Sequence, residues 1–205
     1  GRQIACNSAL SQEGLTNPWG VQMGATLLAA CGDSLHVRAR AAAAAGSDAR
    51  MSGCTLPAVI NSGSGNQGIT ITMPVVVYAQ ELGVNREKLI RALVVANLIG
   101  VHQKKYIGSL SAYCGAVSAA TGAACGIAWM TGQSYKVICD TIVNSIATSG
   151  GVVCDGAKPS CAAKIATAVE MALNALELAK LNRVFQPGEG IVKEDAEATI
   201  KSVGR

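Results

Sequence analysis

Cys154-Asp155-Gly156-Ala157-Lys158-Pro159-Ser160-Cys161 places two thiols seven positions apart across a turn. A helix is expected to begin near Pro159, which suits a first helical turn. Cys161 would then lie among free helix N–H groups, which favour thiolate over thiol. Thiolates so placed are suited to a metal or an iron–sulfur group. A C-x6-C pair is a weak zinc signal, because zinc sites usually use shorter spacings and four ligands. A third donor is needed. Cys114 is the candidate, since it follows the charge-free loop 107–112 at another expected helix start. Three thiolates without a fourth fit a 4Fe–4S cluster with one open iron. The plainer alternative is that all three are structural cysteines. Cys125 and Cys139 fall in mid-helix and look like core, and Cys6, Cys31 and Cys54 have no partner at useful spacing.

A second constellation is Ser62-Gly63-Ser64-Gly65-Asn66-Gln67-Gly68, a literal GxGxxG. A dinucleotide fold would need further parallel strands and an acidic residue about 20 residues on. Glu87 has that spacing but opens a helix, and the rest of the chain reads as helix after helix. The other reading is an anion site, in which backbone N–H groups ahead of a helix hold a small carboxylate. Ser62, Ser64, Asn66 and Gln67 would add side-chain donors. An ordinary helix-start turn is the competing reading. Arg50 and Lys158 are candidate counter-charges, and Asp48 or Asp155 would orient them or an ammonium. Local salt bridges and caps explain these charges equally well. His102 and His36 read as helix-face histidines.

These groups need a scaffold. The chain has 205 residues, 50% apolar and 15% charged, with only 3% aromatic. The expected fold is mainly α: one compact multi-helix domain over 1–205, with a small-residue core and Gly-rich loops. Helices are expected over 19–31, 34–45, 69–82, 86–104, 113–130, 134–149, 159–181 and 193–203. Residues 1–18 read as mixed, Gly46-Ser47-Asp48 as a helix end, and Gly108–Ser111 as a loop. Leu56–Ile60 is a short, strand-like apolar run, and Pro74 is placed in the first turns of its helix. Residues 106–135 carry no charge, but their serines and glycines favour a buried helix over a membrane span. The formal charge of +4, without a dense basic run, gives no sign of nucleic-acid binding. Eight cysteines in a chain with ample core and no signal peptide suggest a reducing cytoplasm.

Four motifs in order extend the reading: Ser47-Asp48-Ala49-Arg50-Met51, Ser62–Gly68, Ser109-Leu110-Ser111-Ala112-Tyr113-Cys114-Gly115 and Cys154–Lys158. Together they resemble the L-cysteine desulfidase family, relatives of the iron–sulfur L-serine dehydratase alpha chain. The resemblance covers nearly the whole chain. It implies a helical catalytic domain, a 4Fe–4S cluster and no pyridoxal phosphate, with Cys114, Cys154 and Cys161 matching the cluster ligands. It implies a lyase that converts L-cysteine to pyruvate, ammonia and hydrogen sulfide, or L-serine to pyruvate and ammonia. A non-catalytic thiolate metal module is the reading from outside the enzyme class. Substrate contacts fall to Ser62, Gly63, Ser64, Gly65, Asn66 and Gln67, and catalytic charges to Asp48, Arg50 and Lys158. Members of that family are about twice as long, so an N-terminal domain is expected as a partner, with a homodimer also allowed. The serine dehydratases space their last two cluster cysteines more widely than seven positions, which favours the desulfidase branch.

Overall fold

The structure is a computed structural model, and residues 1–108 and 111–204 are described. Among them are nine helices and no strand: α1 (Arg2–Thr16), α2 (Met23–Cys31), α3 (Leu35–Met51), α4 (Gly65–Glu81), α5 (Arg86–Ile107), α6 (Gly115–Met130), α7 (Tyr135–Ser149), α8 (Cys161–Lys180) and α9 (Ala196–Val203). The mainly α expectation holds. None of these helices is long and apolar enough to cross a membrane.

Two helices organise the rest. α3 packs against α1, α2, α4 and α8, and α6 packs against α4, α5, α7 and α8. Both are built from small residues. Ala39, Ala41, Ala43, Ala44, Ala45 and Ala49 of α3 are fully buried, as are Thr121, Cys125 and Ala128 of α6. Small side chains let helix backbones approach closely. The approach here leaves no room for a methyl group: a Cβ on Gly14 of α1 would stand 1.9 Å from the Ala45 carbonyl oxygen. On Gly24 of α2 it would stand 2.5 Å from the Ala41 oxygen.

The helix starts follow capping chemistry. Asn85 accepts from the Lys88 amide at 2.9 Å, and Ser64 and Ser134 accept from the amides of Gln67 and Val137. Several boundaries differ from the sequence expectation. Residues 2–16 form α1 although they read as mixed. Its inward face is mixed, with Asn7, Ser11 and Gly14 buried beside Leu10. Asn7 explains how: its Nδ2 donates to the Val59 carbonyl and to Thr72 Oγ1, and its Oδ1 accepts from the Val59 amide at 2.8 Å. Two of these bonds fix Val59, and Leu56–Ile60 is irregular chain rather than a strand. α3 runs through Gly46-Ser47-Asp48 to Met51. Gly46 is used for clearance, since a Cβ there would meet Ile69 Cγ2 at 2.7 Å. α2 starts at Met23, after left-handed turns at Gly20 and Gln22. α4 starts at Gly65, so Pro74 sits in the helix interior. α8 starts at Cys161 rather than Pro159.

Candidate functional site

The first turn of α4 needs a sharp approach. Ser62 and Gly63 both take positive φ, at 47° and 82°, and the chain turns through a paired Asn61 and Ser64 into the helix. Such a φ is costly for serine. The turn leaves Ser64 capping the helix and aims Asn66 and Gln67 toward α6. Close packing fixes this aim. A Cβ on Gly68 would stand 1.9 Å from the Val59 oxygen, and one on Gly65 would stand 2.4 Å from Arg50 Nε. Arg50, in the last turn of α3, donates from Nη1 to Asn66 Oδ1 at 3.1 Å.

Cys114 is the N-cap of α6. Tyr113 pairs with Val153 in a single antiparallel bridge. The Cys114 amide donates to the Val152 carbonyl at 2.9 Å, and the Cys154 amide donates to the Ala112 carbonyl at 2.6 Å. Two loops forty residues apart are thus joined at the two cysteines. From Cys154 the chain turns through Gly156 (φ 97°), and the Lys158 amide lies 3.4 Å from Cys161 Sγ. Asp155 fastens this turn. Its carboxylate accepts from Lys158 at 2.7 Å and from Lys164, whose Nζ also donates to the Val153 carbonyl at 3.1 Å. The two ammonium groups, Lys158 first, hold Asp155 well below the usual carboxylate range.

These pieces meet at one pocket of about 440 Å³, part of it open to solvent, between the starts of α4, α6 and α8. Ser64, Asn66 and Gln67 line one side, and Cys114, Cys154 and Cys161 the other. Gln67 Oε1 is buried without a hydrogen-bond partner. Burial pushes the Cys114 thiol up, and the Ala116 amide at the start of α6 pulls it down. Lys104, buried on α5, is lowered by burial and raised again by the nearby Cys154 and Cys114. Sequence reading missed Lys104 and Lys164. The usable signal was their place near the two helix ends that frame the thiols.

The other sequence candidates lie elsewhere. Ser62, Gly63 and Gly65 shape the loop without lining the pocket. Arg50 stands one step behind Asn66. Asp48 is fully buried and caps α2, accepting from the Gly24 amide at 3.2 Å, and burial raises its carboxyl. Lys158 is taken up by Asp155. His102 contacts Glu197 at 2.6 Å, away from the pocket. Ser109 and Leu110 lie outside the described residues. Among those described, no three His, Cys, Asp or Glu side chains converge closely enough to clasp a single ion. The three thiols line the same pocket instead. A cubane cluster does not need three thiols on one ion, because each cysteine binds a different iron. The donor set, three thiols of which Cys114 and Cys161 stand at helix starts, fits such a group.

Comparison with known proteins covers nearly the whole chain. The chain is 54% identical over 202 residues to a UPF0597 protein of Finegoldia magna, covering 98% of this chain and 48% of that protein. It is 52% identical to a UPF0597 protein of Lachnoclostridium phytofermentans, with coverage of 98% and 48%. It is 44% identical to the UPF0597 protein YhaM of Escherichia coli O9:H4, with coverage of 96% and 46%. The chain therefore spans about half the length of the curated relatives it matches. No solved structure matches it. Residues 2–205 match the family model described as serine dehydratase alpha chain, and the chain belongs to that family.

Proposed function

We propose that this chain carries the cluster-binding part of an iron–sulfur lyase that removes the α-proton and β-substituent of a small amino acid, with L-cysteine as substrate. The observation that carries the reading is the meeting of Ser64, Asn66 and Gln67 with Cys114, Cys154 and Cys161 around one pocket. Cys114, Cys154 and Cys161 would hold a 4Fe–4S cluster. When bound, it supplies a Lewis-acidic iron that takes up a substrate oxygen or sulfur.

The chain's own residues divide the remaining work. Arg50 can only donate, so Asn66 Oδ1 must face it, and the Asn66 amide nitrogen is left to donate into the pocket. A substrate carboxylate fits there, beside the positive end of α4. The unpartnered Gln67 Oε1 is an acceptor suited to the substrate ammonium. Loss of the α-proton and of the β-thiol gives aminoacrylate and hydrogen sulfide. Water then converts aminoacrylate to pyruvate and ammonia. None of the described residues that line the pocket is a carboxylate, histidine or lysine. The general base is accordingly assigned to the part of the longer relatives that this chain does not match. The serine dehydratases space their last two cluster cysteines more widely than Cys154 and Cys161, which supports the desulfidase-like branch and with it cysteine over serine.

The test is anaerobic reconstitution with iron and sulfide. The brown, visibly absorbing protein should carry about four irons per chain. Cys114→Ser, Cys154→Ser or Cys161→Ser should each abolish the absorption, and Cys31→Ser should leave it intact. A colourless protein with one tight zinc would overturn the cluster. Pyruvate and sulfide are then measured from cysteine and serine with the longer polypeptide. Serine turnover without sulfide from cysteine would overturn the substrate.

A further inference from the structure

α5 is apolar on two opposite faces. Its inner face buries Ala92, Leu93 and Ala96 against the core. Its outer face presents Ile90, Val94, Leu98 and Val101, which are 37%, 51%, 64% and 48% exposed. Positions 90, 94, 98 and 101 follow one another at steps of four, four and three, so they form a single stripe. Scattered exposed hydrophobics need no explanation, but a contiguous exposed stripe opposite a buried face marks an interaction surface. The stripe borders a groove of about 640 Å³ between α1 and α5, lined by Gly1, Ile4, Ile90, Val94, Asn97 and Leu98.

The groove is firmly built. Asn97 exchanges hydrogen bonds with Gln3 at 3.0 and 3.1 Å and accepts from Asn61 Nδ2 at 3.0 Å. Asn61 opens the turn into the candidate pocket, and its neighbour Ile60 is 58% exposed. The groove is thus tied through Asn61 to the glycine turn that carries Ser64 of the candidate pocket.

We propose that the α5 stripe, with the α1–α5 groove and Ile60, is the docking surface for a polypeptide domain, namely the half of the longer relatives that this chain does not match. Two observations select this occupant over a second copy. The relatives are about twice as long as the matched region, so each supplies a further, equal length of chain in the same molecule as this face. The groove is also tied to the candidate pocket, since Asn97 bonds Asn61, which opens the turn leading to the pocket residue Ser64. The inference rests on surface alone and stands apart from the identity of the substrate.

The test uses the full-length Finegoldia magna relative, with a photo-reactive benzoylphenylalanine at the residue aligned with Leu98. Irradiation and peptide mapping should show a link within one chain to a peptide outside the 202 matched residues. A control at the residue aligned with Tyr135, which is 82% exposed here, should give several-fold less. Links only between heavy- and light-labelled copies, links confined to the matched region, or no link at all would each overturn the proposal.

Discussion

Gln67 lies so close to Gly115 that a Cβ on Gly115 would stand 2.2 Å from Nε2 and 2.5 Å from Cδ. The Gln67 side chain fills the space between the starts of α4 and α6 there. Gly115→Ala should therefore destabilise by about 1–3 kcal/mol, the usual cost of overpacking. Helix propensity alone would favour alanine by up to about 1 kcal/mol. In a Gln67→Ala background the cost should largely disappear. Urea unfolding of the two single variants and the double variant checks this, and an equal cost in both backgrounds would place the strain elsewhere.

Asp155 ties Lys158 and Lys164 over the turn between Cys154 and Cys161. Because its folded-state titration lies below the usual carboxylate range, the tie holds above that range and loosens only in strong acid. Asp155→Asn should raise the alkylation rates of Cys154 and Cys161 several-fold in the cluster-free protein and leave Cys31 unchanged. Iodoacetamide labelling read by mass spectrometry measures all three. Unchanged rates at Cys154 and Cys161 would show that the backbone bridge alone orders the turn.

Glu197 fixes α9 to α5. It meets His102 at 2.6 Å, Tyr106 Oη at 3.0 Å and Lys201 at 3.1 Å. These partners, His102 first, lower its carboxyl to about 2. The contribution is present above the ordinary value of 4.5 and is lost as pH falls from there toward 2. The group is 44% exposed, so the effect should be under about 1 kcal/mol. Hydrogen exchange in α9 should rise over that acid window in the native chain, and Glu197→Gln should remove the pH dependence.

Asp48 behaves in the opposite sense. Burial raises its carboxyl, so ionisation costs stability as pH climbs past the usual carboxylate range. Asp48→Asn keeps an acceptor for the Gly24 amide and removes that cost. The variant should match the native chain in acid and exceed it at neutral pH in urea midpoint. A lower midpoint at neutral pH would mean that the carboxylate has partners beyond the α2 cap.

Much of the scaffold was legible in the sequence because its signals are local. Asn85 and Ser134 announce their helices through capping, and the structure shows those caps. α1 escaped because polar Asn7 and Ser11 and small Gly14 share its inward face with Leu10, which weakens the hydrophobic periodicity. Gly46 was taken for a stop although it serves a tight crossing with Ile69. The thiols and the glycine turn were visible as separate motifs. Their meeting was not, because a one-pair bridge between Tyr113 and Val153 leaves no periodic trace. Lys164 was hidden for a related reason: its partners Val153 and Asp155 are fixed only once the turn closes.

The alanine run of α3 carries a different lesson about tolerance. With Ala41, Ala43, Ala44 and Ala45 all fully buried, and neighbouring backbones within a methyl radius, α3 screens residues by size more than by oiliness. Serine, nearly the same volume and able to bond back to a carbonyl one turn earlier, should be admitted where valine is refused. Divergence at the centre of this protein is therefore steered by steric clearance, and a greasier α3 would be a broken one.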